Sequence, residues 1–361
     1  MKKVQKAKLK EFRNYLKEKN ICVALFSNLH MQEFDPNFYY FSDYSGLGFL
    51  VVPKDKKPFL IVPEMELGKA KREATTAVVV AKKGVAVMLR KKIGKMKNIG
   101  IDKKGMTVAF FDRLKKELKG VKIKYMDIGQ KCAELRLTKT PEEIKRIRKA
   151  CKITDKIFSK TFFNFKKFKT EADVAHFMVG EVIKLGLEVS FKPIVASGVN
   201  ATEPHHGAPD VKLKKGFCVI DFGIRYKGYC SDMTRTVYLG KPTQKDLEIY
   251  GLVLSAQKNS IKSVKLGVSC KLPDDTAIKT FGKLSKYFVH STGHGVGLDI
   301  HEDPSLAKGE KLKFMSGMVF TIEPGLYFPR KLGIRIEDDI LVTEKGVTVL
   351  TKTGKNLLII K

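Results

Sequence analysis

The stretch GFCVIDFGIRYKGYCSDMTRTVYLG, residues 216–240, contains two strand-like runs separated by a short polar break. Its first part is almost wholly apolar, as a buried strand should be, yet it carries Asp221, and a second strand follows with Asp232. A turn centred on Tyr226 and Lys227 makes an antiparallel hairpin in which Asp221 lies directly opposite Asp232. Because opposed carboxylates repel each other, this hairpin predicts a compensating positive charge.

A second stretch, VFTIEPGLYFPRKLGIRIEDDILV (residues 319–342), repeats the arrangement. A turn centred on Arg330 sets Glu323 opposite Glu337. Burying a lone carboxylate is costly, so four converging carboxylates are expected either to be protonated or to bind cations. Two divalent ions satisfy four such groups, and His294, between the glycines of STGHGVG, supplies one nitrogen ligand. The residues therefore predict a metal site.

Five segments carry a resemblance to a known family. They are FKPIVASGVNATEPHHGAPD (191–210), VIDFGIRYKGYCSDMTRTV (219–237), HSTGHGVGLDIHEDP (290–304), VFTIEPGLY (319–327) and IRIEDDILV (334–342). In order and spacing they resemble the motifs of the pita-bread metallopeptidases, the family of prolidase, aminopeptidase P, creatinase and methionine aminopeptidase. The resemblance is close from about residue 130 to residue 361.

The resemblance implies a pita-bread catalytic domain, in which helices cover a curved antiparallel sheet, and a site for two divalent metal ions. By the family pattern Asp221 binds one ion, Asp232 and Glu337 bridge both, and His294 with Glu323 holds the other. Oxygen and nitrogen ligands suit manganese, cobalt, zinc or iron. Two ions about 3.5 to 4 Å apart activate a shared water as a bridging hydroxide that attacks an amide carbonyl. Glu323 is also expected to carry the proton to the leaving nitrogen.

Four further site residues follow from the same likeness. His205 matches a histidine that lines the substrate site, although its neighbour His206 is an alternative for that position. His290 and His301 match positions that contact the scissile carbonyl and its oxyanion. Arg335 is expected to orient the nearby glutamate ligand, to meet the substrate carboxylate, or to form a structural salt bridge.

The segments FKPIVASG, EPHHG and HEDP resemble the proline-processing branch of the family, whereas creatinase lacks the metal ligands. An Xaa-Pro dipeptidase (prolidase), acting on small peptides with proline in the second position, is the preferred function. An Xaa-Pro aminopeptidase (aminopeptidase P) that acts on longer peptides is the alternative, and a non-catalytic nucleic-acid-binding protein is a second one. The arginine that many prolidases carry just beyond the HEDP proline is replaced by Ser305, with Lys308 or Lys311 as substitutes.

The first part of the chain predicts a separate α/β domain. Helical stretches alternate with six strand-like runs, ICVALF, GLGFLVVP, PFLIVP, TAVVVA, NIGID and VKIKYMDI, which indicates a mixed sheet packed by helices. The domain resembles the creatinase-type N-terminal domain, and FYYFSDYSGLGFLVVP resembles its early strand-turn-strand piece. The predicted fold class is therefore α/β (α+β), with domains at residues 1–130 and 131–361. Thr140, Pro141 and Glu143 predict a capped helix near this boundary.

Composition limits the remaining function classes. The 361 residues are 43% hydrophobic, without an apolar run of about 18 residues or a signal-peptide core at the start, which favours a cytoplasmic protein without a membrane span. Six scattered cysteines without a CxxC pair argue against disulfides and a cysteine zinc site. The net charge of +31 permits nucleic-acid binding, but the lysines are spread along the whole chain, which disfavours it. The family likeness implies a homodimer.

Overall fold

The computed structural model describes residues 3–29, 34–82, 84–93, 95–118 and 123–361. The chain forms two compact units, which divide between Arg136 and Leu137. Parts of two predicted elements, the end of the helix in TVAFFDRLKKELKG and the start of the strand in VKIKYMDI, lie outside the described residues.

The N-terminal unit contains a six-stranded mixed sheet, as the alternating apolar runs predict. Its strands are β1 (Val23–Asn28), β2 (Gly48–Pro53), β3 (Phe59–Val62), β4 (Ala77–Val80), β5 (Asn98–Ile101) and β6 (Lys124–Asp127). Their order is β4-β3-β2-β1-β5-β6, in which β2 is antiparallel to both neighbours while the pairs β1–β5, β5–β6 and β3–β4 are parallel. A buried apolar cluster of the central strands and two helices holds the unit together.

Within the described residues of this unit, six α-helices accompany the sheet. They are α1 (Lys3–Glu18), α2 (Pro36–Ser42), α3 (Leu67–Glu73), α4 (Val85–Ile93), α5 (Val108–Glu117) and α6 (Gly129–Leu137). The predicted strand-turn-strand for FYYFSDYSGLGFLVVP is wrong in its first part, which is helix α2. The reason is local: the Asp35 side chain accepts a hydrogen bond from Phe38 N–H, and Pro36 occupies the first helical position.

Four helices belong to the C-terminal unit: α7 (Pro141–Asn164), α8 (Glu171–Ile183), α9 (Gln244–Ser263) and α10 (Leu272–Phe281). The predicted capping box at the start of α7 is confirmed, because Thr140 and Glu143 bond reciprocally. Thr170 and Thr243 cap α8 and α9 in the same way. These three caps set where the long helices begin.

The strands of the C-terminal unit form four small sheets. The strands are β7 (Glu188–Val189), β8 (Ile194–Ser197), β9 (Gly216–Asp221), β10 (Ile224–Tyr226), β11 (Tyr229–Cys230), β12 (Thr234–Leu239), β13 (His294–Gly295), β14 (Glu302–Ser305), β15 (Val319–Ile322), β16 (Gly325–Phe328), β17 (Leu332–Arg335), β18 (Asp338–Thr343), β19 (Gly346–Val349) and β20 (Ile359–Ile360). The sheet orders are β11-β10-β7, β20-β12-β9-β8, β14-β13-β15-β18-β19 and β16-β17. All described pairings in this unit are antiparallel except β12–β20.

Helices pack on these sheets through separate apolar clusters. One cluster joins α7 and α8 to β8, β9, β10 and β12, with Phe158, Met178 and Phe222 fully buried. Another joins α9 and α10 to β9, β12, β16 and β17 around Tyr250 and Leu326. Because the helices anchor the strands on which the acidic residues lie, the fold fixes the backbone of the site described next.

Candidate metal centre

The first carboxylate hairpin forms, but its register differs from the predicted one. Strands β9 and β12 pair with Asp221 opposite Thr234, and hydrogen bonds beyond the strand ends continue this register, which sets Asp232 opposite Gly223. The prediction that Asp221 lies directly opposite Asp232 is therefore wrong. The chain packs very closely here: a Cβ atom at position 223 would lie 1.9 Å from the carbonyl oxygen of Ser231, so this position requires glycine.

The cause of the shifted register is the turn. Tyr226 pairs with Tyr229, so the turn residues are Lys227 and Gly228, one position later than predicted. Both have positive φ, 48° and 81°, as a two-residue type I′ hairpin turn requires. Glycine favours the second position of such a turn, whereas a turn at Tyr226 and Lys227 would force a tyrosine into the left-handed region.

The second carboxylate hairpin has the predicted register. Ile322 pairs with Asp338 on one side and Gly325 with Arg335 on the other, and this ladder sets Glu323 opposite Glu337. The hairpin is centred on Arg330, which has a φ of 59°. The two glutamates lie in the short break between β15 and β16 and between β17 and β18.

The predicted metal ligands come together in one cavity of about 650 Å³. One ligand atom each from Asp232, His294 and Glu337 lies within 4.8 Å of the others. His294 Nε2 lies 3.3 Å from Glu323 Oε1 and 3.7 Å from Asp232 Oδ2. Asp221 lines the same cavity. Four carboxylates and an imidazole that are far apart in the sequence therefore converge.

The charges at this cluster are not balanced by the protein itself. Burial and the neighbouring carboxylates raise the pKa of Asp232 and of Glu337 well above the usual values. One buried oxygen of Asp232 and one of Asp221 accept no hydrogen bond from any described residue. Acceptor oxygens without donors, crowded against further carboxylates, are what a divalent-cation site requires, so the residues fit two metal ions.

His294 and Glu323 form a closer pair than the other ligands. Burial would raise the pKa of Glu323, but the hydrogen bond and the charge of His294 lower it to about 2. Burial lowers the pKa of His294, and the same contact raises it above its usual value overall. His294 Nδ1 lies 3.1 Å from the Gly295 carbonyl oxygen, to which it donates, so Nε2 is the nitrogen that faces the acids.

Arg335 forms hydrogen bonds within the protein through all three of its guanidinium nitrogens. Its Nη2 donates to Asp221 Oδ2 at 2.7 Å and its Nε to Thr234 Oγ1 at 3.0 Å. Its Nη1 donates to the Tyr327 hydroxyl at 2.8 Å and to the Pro204 carbonyl oxygen at 3.2 Å. The ion pair is therefore with Asp221, and no described hydrogen bond joins Arg335 to the side chain of Glu337. All three guanidinium nitrogens are used before any substrate binds.

Two threonines hold predicted ligand carboxylates in place. Thr234 Oγ1 donates to Glu337 Oε2 at 2.7 Å. Thr321 Oγ1 donates to Glu323 Oε1 at 3.2 Å and accepts from His294 N–H at 3.1 Å. Each lies at or next to the end of a strand that carries ligands, and strand alternation is the only signal that could have indicated them.

Asp339 is a further buried acid beside the cluster. Its Oδ2 accepts from the backbone N–H of Asp232 at 2.9 Å and from Cys151 Sγ at 3.3 Å. Burial raises its pKa to about 7, although the hydrogen bonds lower it in part. Asp339 therefore fixes the backbone that carries Asp232, and a sequence reading could not separate it from its acidic neighbours.

The two adjacent histidines of EPHHG differ in their contacts. Both line the cavity. His206 is held on both sides, with Nε2 at 2.9 Å from Glu171 Oε2 and Nδ1 at 3.0 Å from Glu203 Oε2. His205 is exposed and makes no hydrogen bond with any described residue. The geometry favours His205 as the ring that is available to a substrate.

His290 and His301 also line the cavity, but they differ in their contacts and exposure. His290 is linked to the wall, because its Nδ1 donates to the Ser291 carbonyl oxygen at 2.8 Å and its Nε2 accepts from the Tyr327 hydroxyl at 3.0 Å. Burial lowers its pKa, so it is neutral at pH 7. His301 is exposed and packs edge-on against His294, with ring centroids 4.1 Å apart.

The rest of the cavity wall combines apolar side chains with one lysine. The apolar residues are Phe191, Pro193, Ile194 and Ile300, and the lysine is Lys192. Lys192 is exposed, and no ion pair or hydrogen bond engages its ammonium group among the described residues. Lys308 and Lys311, the predicted substitutes for the missing arginine, do not line this cavity, and Ser305 pairs with His294 in the sheet.

A carboxylate-rich, histidine-bearing cavity on antiparallel hairpins places the protein among the metal-dependent hydrolases. The chain belongs to metallopeptidase family M24, whose family model matches residues 145–344. The model of the creatinase/prolidase N-terminal domain matches residues 8–138. The predicted family, fold class and metallopeptidase activity are thereby confirmed, whereas the domain boundary at residue 130 stays a prediction.

Three relatives illustrate the similarity. The chain is 39% identical to the Xaa-Pro dipeptidase of Pyrococcus furiosus over 330 residues, which cover 89% of this chain and 92% of the relative. The prolidase structure from Pyrococcus horikoshii OT3 superposes with a TM-score of 0.88 at 34% identity, over 98% of this chain and all of that one. The X-Pro aminopeptidase structure from Thermotoga maritima MSB8 also gives 0.88, at 30% identity over 94% and 98% of the two chains.

The family and the ligand cluster together define the cofactor. Two divalent metal ions, predicted from the paired carboxylates, are confirmed as the cofactor by the family and by the ligand cluster, while the identity of the metals stays a prediction. Within the described ranges, no helix is both long enough and apolar enough to cross a bilayer.

Proposed function

We propose that the protein is an Xaa-Pro dipeptidase that hydrolyses small peptides with proline in the second position. The observation that carries the proposal is the composition of one cavity, which combines the metal-binding acids, an apolar wall and one uncommitted lysine. The likeness to the Xaa-Pro dipeptidase of Pyrococcus furiosus supports it.

The acids and His294 would hold the two ions as the family pattern assigns them. The residues that would hold them are Asp221, Asp232, His294, Glu323 and Glu337. When bound, the ions polarise the scissile carbonyl and activate the attacking water. The unpartnered oxygens of Asp221 and Asp232 support this assignment.

The side chains around the ions then have distinct tasks. Glu323, which lies beside His294 in the ligand cluster, accepts the proton of the attacking water and passes it to the leaving nitrogen. His205 and His301 are exposed imidazoles on the cavity wall, and they orient the scissile carbonyl by hydrogen bonding. His290 acts through Tyr327, whose hydroxyl is also bonded to Arg335, and so keeps the Asp221 side of the site in place.

The apolar wall suits the proline ring. Phe191, Pro193, Ile194 and Ile300 offer carbon surface to a pyrrolidine ring that has no N–H group to satisfy in a peptide bond. A polar residue in the second position would lose hydration against this wall without gaining a partner. The cavity thus favours proline by contact area and by desolvation.

Lys192 supplies the cation that the missing arginine would provide. It lies two residues before Ile194, whose Cα pairs with that of Asp221. Two extended residues span about 7 Å and paired strands lie about 5 Å apart, so the lysine backbone starts within about 12 Å of Asp221. A lysine side chain and a dipeptide together bridge this gap, so the ammonium group meets the free carboxylate of the substrate.

A substrate panel tests the proposal. The purified protein is loaded with manganese, cobalt or zinc and incubated with Ala-Pro, Ala-Pro-Ala and Met-Ala-Ala. Cleavage of Ala-Pro with little cleavage of the tripeptides is expected. Cleavage of Ala-Pro-Ala at a comparable kcat/KM would instead assign an Xaa-Pro aminopeptidase, which the similarity to the Thermotoga maritima structure makes the alternative. Absence of any cleavage with every metal would overturn the peptidase proposal.

The remaining partner and location predictions are part of this proposal. A cytoplasmic enzyme is consistent with six free cysteines, five of them buried. A homodimer is what the family likeness implies, and sedimentation or light scattering of the purified protein measures it. Nucleic acid is not proposed as a partner of the metal cavity, because Lys192 and Arg335 are the only lysine or arginine residues among the described residues that line it.

A further inference from the structure

A second cavity, of about 620 Å³, lies in the N-terminal unit and contains no metal-ligand residue. Three segments form its walls: one face of helix α1, the turn between β2 and β3, and the start of β4. Its lysine and arginine residues are Lys10, Arg13, Lys17, Lys54 and Lys57. We call this cavity the basic cleft.

The basic cleft concentrates positive charge. Five of its lining residues are lysine or arginine, and no acid lines it among the described residues. Lys17 is paired with Asp55 at 3.3 Å outside the lining, whereas Lys10, Lys54 and Lys57 make no ion pair within the described part of the chain. Clefts lined by charges of one sign focus the electrostatic field and attract counter-ions.

Overall composition does not account for this concentration. Another cavity of about 620 Å³ in the same unit is lined mainly by apolar residues, with one cation, Arg113, and one acid, Glu117. The two cavities are equal in size, but the basic cleft is lined by five cations and no acid, whereas the other cavity is lined by one cation and one acid. The basic cleft is a local feature rather than a sample of the lysine-rich surface.

One cation of the cleft is held in a defined position. Arg13 is half-buried, and its Nε donates to the Lys54 carbonyl oxygen at 3.1 Å, which ties helix α1 to the β2–β3 turn. With Nε engaged, both terminal nitrogens remain for a ligand, and this planar pair matches two oxygens of a phosphate group. The lysines around it suit additional phosphates as mobile point charges.

We propose that the basic cleft binds an oligophosphate, meaning two or more linked phosphate groups, either as an inorganic chain or as the tail of a nucleotide. The cavity volume is that of a small-molecule site. No aromatic residue lines it within the described ranges, so the base stacking that single-stranded nucleic acids require is absent. Of the apolar lining residues, Ala77 is exposed beside the charges, whereas Leu9 and Pro58 are buried.

Isothermal titration of the metal-loaded protein in excess magnesium tests the proposal with MgATP, magnesium tripolyphosphate and AMP as probes. Binding of both oligophosphates is expected, with AMP at least about tenfold weaker and with affinities that fall as salt rises. Arg13→Gln and Lys57→Gln are each expected to weaken binding about tenfold. Lys91→Gln, which removes an exposed lysine of helix α4 outside the cleft, is the matched control and keeps wild-type affinity.

The measured affinities distinguish an inorganic chain from a nucleotide, and they also show whether the proposal fails. Equal affinity for both oligophosphates assigns the inorganic chain, and tighter binding of MgATP assigns a nucleotide. Dissociation constants above about 1 mM for both oligophosphates, or equal weakening by all three substitutions, would overturn the proposal. Ala-Pro hydrolysis by each variant verifies that it is folded and is independent of the result, because no cleft residue lines the metal cavity.

Discussion

Replacement of Lys192 tests the dipeptide assignment most directly. Lys192 lines the metal cavity without an engaged ammonium group, so its charge is available to the free carboxylate of Ala-Pro. A hydrogen bond to a charged group contributes about 1.5 to 3 kcal/mol when it is buried, and an exposed ion pair about 0.2 to 1 kcal/mol. Because Lys192 is exposed but lies at a cavity wall, we expect an intermediate contribution of about 1 to 1.5 kcal/mol.

This contribution corresponds to a loss of about 5- to 12-fold in kcat/KM when Lys192→Gln acts on Ala-Pro. The loss is expected in KM, because the carboxylate contact is the same in the ground state and in the transition state. The amide Ala-Pro-NH2, which has no carboxylate, should be hydrolysed equally by the wild type and by the variant. Lys192→Arg keeps the charge and should recover most of the activity.

The matched control is Lys308→Gln, which removes an exposed lysine that the sequence offers as a substitute for the missing arginine but that does not line the cavity. It should leave both substrates unaffected. Wild-type KM for Ala-Pro in Lys192→Gln, or an equal loss on the amide, would refute the carboxylate contact. Hydrolysis of Ala-Pro by the wild type would still stand in that case, so the two conclusions fail separately.

Three further substitutions probe the site and its support. Asp232→Asn removes an unpartnered buried oxygen and a charge from the cluster, so activity should be abolished and metal content, measured by mass spectrometry, should fall; unchanged turnover would contradict the ligand assignment. Asp338→Asn leaves the buried Arg235, whose side chain is 3% exposed, without its carboxylate, so urea titration should show an unfolding free energy lower by about 3 to 5 kcal/mol. Burial lowers the pKa of His206, but its contacts with two glutamates raise this pKa above the usual 6.5 overall. The protonated His206 therefore stabilises the folded protein fully below pH 6.5, and this stabilisation is lost as the pH rises through the raised pKa. His206→Gln should remove that part of the pH dependence, and an identical pH profile in the variant would contradict it.

The sequence predicted the second hairpin better than the first for a physical reason. In the second hairpin the turn is centred on one residue, Arg330, so the acids on either side keep their predicted pairing. In the first, the register depends on which two residues adopt positive φ, and Lys227 with Gly228 do so instead of Tyr226 with Lys227. A shift of one residue moves the partner of Asp221 from Asp232 to Thr234, although the cavity still gathers both acids.

Local caps were also more predictable than long-range contacts. The boundary helix follows from Thr140 and Glu143, which are three residues apart and bond to each other. By contrast, the hydrogen bond that fixes Glu337 comes from Thr234, 103 positions away, and nothing in the sequence near either residue indicates it. The buried carboxylate of Glu171, which accepts from His206, is separated from it by 35 positions. Such contacts depend on the tertiary packing of several strands.

The three consecutive acids Glu337, Asp338 and Asp339 show how the fold assigns roles that sequence alone leaves equal. Alternation along the strand turns Glu337 and Asp339 toward the metal cluster, and Asp338 toward Arg235 and Lys355, at 2.7 and 2.5 Å. Burial would raise the pKa of Asp338, but these two cations lower it below its usual value overall.

On the metal side of the strand, burial raises the pKa of both Glu337 and Asp339, because the protein provides too little positive charge there. The protein therefore balances Asp338 with its own cations, whereas Glu337 lies in the cluster that fits a bound metal. Asp338→Asn should consequently reduce stability while metal binding is retained, whereas Asp232→Asn should lose metal while the Arg235 network is intact. A variant pair in which both properties fell together would show that the two faces of this strand are not independent.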